Sequence, residues 1–276
     1  MYDLSGKVAL VTGAGGKQGL GRAIALRLAQ EGADVVVNDV VARRTGSPDW
    51  AGLPDVVHEI EALGQEACAI VADVSDAQQV DRMVHQALEQ FGQIDILVNN
   101  AGAPAGRDRV PVIELEEDAW DLVQRVNVRG TFLCCRAVAR AMIMPGQGGK
   151  IINISSVAGK QGMARFAAYC ASKFAVRGFT QALALELAPH HINVNAICPS
   201  LIETERVDDM AAALAPEGIS KEAYREQMLA NSISATPMGR MGQPADVAQL
   251  VAFLASAQSD FLTGLSITAA GGSYME

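Results

Sequence analysis

The sequence predicts an α/β fold, a single domain built on a doubly wound, seven-stranded parallel sheet. Three observations carry this. Short β-rich runs alternate with longer amphipathic segments, as strand–helix–strand crossovers require. The short runs are continuously apolar rather than alternating, which suits parallel strands buried on both faces. Half of the 276 residues are apolar, enough for one large core. No linker, internal repeat or low-complexity tract divides 1–276.

The elements follow in order. "KVALVT" (7–12) reads as a strand and "GLGRAIALRLAQEG" as the helix after it. "ADVVVND" (33–39) is a strand, and "LPDVVHEIEALG" (53–64) a helix stopped by Gly64. "EACAIVADV" (66–74) leads into the helix "SDAQQVDRMVHQALEQFG" (75–92), capped by Ser75 or Asp76. "DILVNNAG" (95–102) is a strand and turn. A long helix is expected over 117–144, ended by Pro145 and Gly146. "GKIINISS" (149–156), the helix 165–188 and the strand "INVNAICP" (192–199) come next. Region 200–240 is less regular, with short helices near 207–215 and 220–230. The helix 244–256 and the strand 266–272 close the domain.

The balance of 22 basic and 31 acidic residues, net −9, argues against nucleic acid and against an anionic membrane surface. The first residues lack a signal peptide, and no apolar run reaches membrane-spanning length, so a cytoplasmic protein is expected. Five scattered cysteines without a Cys-x-x-Cys pair read as buried thiols, and four histidines without ligand spacing give no metal site.

Such sheets bind ligands at the carboxyl ends of their strands. After the first strand comes "TGAGGKQGLGR", with Gly13, Gly15, Gly16, Gly19 and Gly21 leading straight into a helix. Glycines let a pyrophosphate approach the helix N-terminus, where free N–H groups favour an anion. A glycine cluster can also be only a tight turn; its place between strand and helix points to a Rossmann-type dinucleotide site. Asp39 ends the second strand, where a carboxylate can accept both ribose hydroxyls of NAD and repel the extra phosphate of NADP. Lys17, Arg43 and Arg44 are the residues that would instead pair with that phosphate. Asp73 and Val74 follow the third strand and could line an adenine; Asp73 could equally serve the next helix as a cap. In "NNAG", small residues allow backbone to lie against the cofactor, and Asn99 could brace the sheet instead.

"YCASK" places Tyr169 and Lys173 four residues apart, on one helix face. A free tyrosine has a pKa near 10, high for a base at neutral pH, and a nearby ammonium favours the phenolate. Alone, such a pair can be a surface accident. Ser156, at the end of the fifth strand, offers a hydroxyl for a substrate oxygen, while Ser155 faces the other way as a structural residue. Asn127 is a polar residue inside an apolar helix. It reads either as a packed core amide or as a helix distortion linking Lys173 to solvent.

With these motifs in order, "TGAGGKQGLG", "NNAG", "NVRG", "INISS", "YCASK" and "NVNAICPS", the chain resembles the short-chain dehydrogenase/reductase family over nearly all of 5–272. The resemblance implies hydride transfer between NAD(P) and an alcohol or carbonyl carbon. It implies that Ser156 positions the substrate oxygen, Tyr169 exchanges its proton, Lys173 lowers the tyrosine pKa and binds the nicotinamide ribose, and Asn127 completes a proton relay. It implies cofactor contacts from Gly13, Gly19, Leu20, Gly21, Asp39, Asp73, Val74, Asn100, Ala101, Gly102, Tyr169, Lys173, Pro199, Ile202 and Thr204. Asn195 falls to a structural role.

Three features depart from the family pattern. The glycine turn is two residues longer than usual, Pro199 is followed by Ser200 rather than glycine, and "AAGG" (269–272) lacks a preceding acid. Residues 42–54 look like a loop insertion reaching the adenine end of the cofactor or a neighbouring subunit.

NAD is favoured over NADP. The expected substrate is a mostly neutral secondary alcohol or ketone, with no arginine aimed at a substrate carboxylate. It would be covered by a lid at about 200–235 that carries Met210, Leu214, Tyr224 and Met228 beside Glu203, Glu205, Asp208 and Asp209. The resemblance implies a homotetramer, assembled through the long helices holding Asn127 and Tyr169 and through the C-terminal strand, whose apolar "LTGLSITAAGG" end suits such a contact. A catalytically silent dinucleotide-binding protein would not need Ser156, Tyr169 and Lys173 together. A methyltransferase on a similar fold would not need the Tyr–Lys pair.

Overall fold

The computed structural model describes residues 2–43, 49–144 and 146–275. Seven parallel strands form one sheet: β1 Val8–Thr12, β2 Asp34–Asp39, β3 Ala67–Val71, β4 Ile96–Asn99, β5 Gly149–Ile154, β6 Ile192–Pro199 and β7 Ser266–Ala269, in the order β3-β2-β1-β4-β5-β6-β7. Helices α1 Leu20–Gln30, α2 Leu53–Glu61 and α3 Ala77–Phe91 precede α4 Glu117–Gln124 and α5 Thr131–Ile143; α6 Ala167–Leu187, α7 Arg206–Leu214, α8 Lys221–Ala235 and α9 Pro244–Ala255 follow.

Alternate strand residues feed two cores. Ala9, Val11, Val35 and Val98 pack against α1, α2 and α9, whereas Leu10, Val36, Leu97 and Val194 pack against α3, α5 and α6. This is the doubly wound arrangement. The expectation that every strand is buried on both faces fails at β3: it is an edge strand, and Val71 is 51 % exposed.

Several strands stop earlier than expected, because their last residues leave the ladder to shape the sheet's carboxyl edge. After Asn99, the N–H groups of Asn100 and Ala101 donate to Thr12 Oγ1, each at 3.1 Å, rather than to a strand. Ser156 likewise lies two residues beyond β5. Asp76, not Ser75, caps α3, accepting from the N–H groups of Gln78 and Gln79 at 2.8 and 3.0 Å.

The long helix expected over 117–144 is not one regular helix. A π-helical segment, Arg125–Gly130, separates α4 from α5. The wider turn seats Gly130 so closely on Val74 that a Cβ would lie 2.8 Å from its Cγ2. Pro145, expected to end this stretch, lies outside the described residues. The second short helix runs on to Ala235, well past 230.

Candidate active site

The strand order reverses at β1, between β2 and β4, and there a crevice opens at the carboxyl edge. A cavity of about 1110 Å³ fills it and runs from the end of β2 to α6 and α7.

One end is built by the glycine turn. Gly13 has φ +68°, and a Cβ on it would lie 2.8 Å from Ala101 Cα, so only glycine lets these two loops meet. At Gly21 a Cβ would stand 2.4 Å from the Gly13 carbonyl oxygen, so α1 could not pack here with any side chain. Gly19 begins α1 with no side-chain cap. An uncapped helix N-terminus behind a glycine turn fits a pyrophosphate, so the residues present suit a dinucleotide.

Asp39 is buried at the end of β2. Its Oδ2 accepts from Gly15 N–H at 2.9 Å and its Oδ1 from Val40 N–H at 2.8 Å. Arg43 lines the cavity beside it; Lys17 does not, and Arg44 lies outside the described residues. Asp73 and Val74 also line it, with Asp73 Oδ1 accepting from Ser75 N–H at 2.8 Å. Asn100 donates from Nδ2 to the carbonyls of Thr12 and Gly13 at 2.9 and 3.0 Å, tying "NNAG" to the glycine turn. Asn99 points into the sheet and donates to Asn153 Oδ1 at 2.8 Å. Asn195 donates to the Leu262 carbonyl at 2.8 Å and accepts from Leu265 N–H at 3.1 Å.

The added length of the glycine turn is braced by residues that the sequence did not single out for this. Trp50, from the 42–54 segment, donates from Nε1 to the Gly15 carbonyl at 2.8 Å. Arg22 lies 5.1 Å over the Trp50 ring, pairs with Glu59 at 2.6 Å and donates to the Lys17 carbonyl. Glu205, just before α7, accepts from Gln18 N–H at 3.0 Å, so the 200–235 region touches the turn.

The other end holds Ser156, Tyr169 and Lys173, which the structure brings into the same cavity. Ser156 Oγ accepts from Ala158 N–H at 3.1 Å. Lys173 is buried, and its Nζ donates to the Ile154 carbonyl at 2.8 Å while lying 5.6 Å from the Tyr169 ring centre. Burial opposes ionisation of Tyr169, but Lys173, Arg206, a hydrogen bond from Ser156 and Arg109 together outweigh it and hold the phenol below its ordinary pKa. Burial also pulls the Lys173 ammonium below its usual range. Ser155 turns away and donates to the Lys173 carbonyl at 2.9 Å.

Asn127 lies in the π segment and is buried. Its Oδ1 accepts from Ala103 N–H at 2.8 Å, its Nδ2 donates to Ser172 Oγ at 2.9 Å, and its carbonyl accepts from Thr131 Oγ1. It therefore braces the residue next to Lys173 rather than bonding to Lys173.

Pro199, Ile202 and Thr204 line the cavity after β6, with Met210, Leu214 and Met228 beyond them; Tyr224 does not. Three arginines that the sequence reading passed over also line it: Arg109 from the segment after β4, Arg125 at the start of the π segment and Arg206 at the start of α7. Arg109 and Arg206 sit in no motif, and only the fold brings them together.

A family model described as short chain dehydrogenase matches residues 7–215. The 3-oxoacyl-[acyl-carrier-protein] reductase of Staphylococcus aureus is 42 % identical over 269 residues, covering 98 % of each chain. The sorbitol dehydrogenase of Cereibacter sphaeroides is 39 % identical over 276 residues, 99 % of each. Among solved structures, carveol dehydrogenase from Mycobacterium avium in complex with NAD superposes with a TM-score of 0.88 at 29 % identity, covering 99 % of both chains. No helix of the described residues is long and apolar enough to cross a membrane.

Proposed function

Because this chain belongs to the short chain dehydrogenase family, we propose that it interconverts a secondary alcohol and a ketone with NAD(H), using Tyr169 as general acid and base. The observation that carries this is the phenol of Tyr169 in one cavity with Ser156 and Lys173, its pKa lowered by flanking cations. A base must approach the working pH to be effective, and the cations move this phenol in that direction.

The bound nicotinamide supplies the hydride acceptor or donor. The chain does the rest. Ser156 Oγ holds the substrate oxygen. In the oxidative direction the Tyr169 phenolate removes the hydroxyl proton as the carbinol carbon gives up its hydride. In the reductive direction the phenol returns that proton to the forming alkoxide. The Lys173 ammonium stabilises the phenolate by charge, and Asn127, in the π segment, would hold a water that links Lys173 to solvent. The 200–235 segment closes over the substrate as a lid, consistent with Glu205 reaching the glycine turn.

NAD is favoured because Asp39 places a carboxylate at the end of β2, where a 2′-phosphate would be repelled. The NAD complex of carveol dehydrogenase agrees with this preference. Arg43 on the cavity wall favours the second reading, an NADP-linked ketoreductase. Titrating the protein with NADH and with NADPH, followed by nicotinamide fluorescence, separates the two: tighter NADH binding supports Asp39 as the ribose ligand, and tighter NADPH binding transfers the role to Arg43 or its neighbours. Tyr169→Phe should keep NADH binding and lose turnover by about 10²- to 10⁴-fold, the range typical of general acid–base catalysis. Substantial residual turnover would refute the assignment.

A further inference from the structure

The segment between β4 and α4 turns one charged side chain inward. In "GRDRVP" the two arginines diverge: Arg107 reaches out and pairs with Asp118 of α4 at 2.8 Å, whereas Arg109 is 1 % exposed. Asp108 fixes the turn between them. Its Oδ1 accepts from Gly106 N–H at 3.2 Å, and its Oδ2 accepts from Arg109 Nη1. The Arg109 guanidinium then lies in the notch between two rings at the start of α6, 4.4 Å from the centre of Phe166 and 4.7 Å from that of Tyr169. The rings themselves stand edge to face, 6.4 Å apart.

Burying a guanidinium costs free energy, and hydrogen bonds do not fully offset it here, because Nε has no partner among the described residues. An apolar side chain would fill the notch without that cost. What a guanidinium adds is positive charge and a flat face for aromatic rings. Arg109 lies nearer the centre of the Tyr169 ring than Arg206 or Lys173, at 5.5 and 5.6 Å. Those two weigh more on the phenol hydroxyl, so Arg109 acts on the ring by its place as well as by its charge.

We propose that Arg109 is a positioning residue for the reaction at Tyr169: stacked on the phenol ring, it fixes the plane of the ring and lends it positive charge, and its ion pair with Asp108 limits that charge. The inference rests on the reading of Tyr169 as the acid and base. The same phenol also meets Lys173 from its own helix, Arg206 from α7 and Ser156 from the end of β5, while Arg125, Glu205 and Asp209 line the cavity. All of these stay in place in the variants below, so a change there reports on the Asp108–Arg109 pair.

The two partners should move the Tyr169 midpoint in opposite directions. Loss of the Arg109 charge disfavours the phenolate, so Arg109→Met should raise it. Loss of the Asp108 charge leaves the guanidinium uncompensated, so Asp108→Asn should lower it. Arg109→Lys keeps the charge and should stay closer to wild type than Arg109→Met. A segment that only packs would, once loosened, wet the phenol and move both variants up, towards the ordinary value near 10.

The experiment is a pH titration of phenolate ultraviolet absorbance, each variant measured against the same variant carrying Tyr169→Phe, beside the pH profile of NADH formation. Opposite shifts in both readouts support the inference. Shifts in the same direction, or none, overturn it. If Arg109→Met does not fold, Asp108→Asn decides: a lowered midpoint supports the inference, and an unmoved or raised one overturns it. Opposite shifts in absorbance with no matching change in the rate profile would leave the phenol tuned by this pair and refute Tyr169 as the acid and base.

Discussion

Tyr169 is governed by a contest between burial, which raises its pKa, and positive charge, which lowers it. The charge wins, and the sign fixes the pH profile. Alcohol oxidation needs the phenolate, so its rate should rise with pH to a plateau, with a midpoint below the ordinary tyrosine value near 10. Ketone reduction needs the phenol and should fall through the same midpoint. Lys173 is the largest of the cationic influences, ahead of Arg206. Lys173→Met should therefore shift the midpoint upward, and Arg206→Met should shift it by less; each unit corresponds to about 1.4 kcal/mol of lost phenolate stabilisation. Stopped-flow rates of NADH formation across pH measure this, and an unmoved midpoint in Lys173→Met removes the charge argument. Tyr169 and Lys173 were legible in the sequence because one helix face fixes their relation. Arg109 and Arg206 were not, because a loop and a distant helix meet here only through tertiary structure.

The irregular helix between β4 and β5 shows what an element can hide. Residues 117–144 are read as one helix, and within "RVNVRG" only the polar Asn127 points to a distortion, without fixing its form. The π turn is set from outside, by the seat of Gly130 on Val74 and by the bonds of Asn127 to Ala103 and Ser172. Asn127→Ala leaves the Ala103 N–H, and the Ser172 hydroxyl on its accepting side, without these partners in a buried place. That loss costs about 1–3 kcal/mol, which for a chain of this size lowers Tm by roughly 2–4 °C per kcal/mol. Scanning calorimetry checks it; an unchanged Tm would mean that the π segment is held by Gly130 and Val74 alone. The glycine turn repeats the lesson. Its extra length was visible, while its braces, Trp50 and Glu205, come from segments that carry no motif for the task.

For the whole molecule, the strand order and the two cores follow from apolar runs that the sequence displays openly, but the assembly depends on surface that only the fold reveals. On α6, Phe174 and Leu185 are 44 % and 80 % exposed, and they share a face with Gly178, where an added Cβ would meet nothing within 4 Å. Phe132 on α5 is also 40 % exposed and packs edge-on to Phe179 of α6. Large apolar side chains flanking an open glycine form a face on which a second helix pair can lie closely. At the far edge of the sheet, β7 has a neighbour on one side only, and Phe261 and Leu265 are exposed close before it. Two such surfaces, used twice each, close a tetramer with twofold symmetry. Mass photometry should then find a species of about four times the 29.0 kDa chain mass. Gly178→Arg places a long charged side chain on the helix face alone, so it should reduce the tetramer to a dimer held through the β7 edge. A wild-type protein found only at 29.0 kDa would exclude both contacts, while a tetramer that survives Gly178→Arg would exclude the helix face.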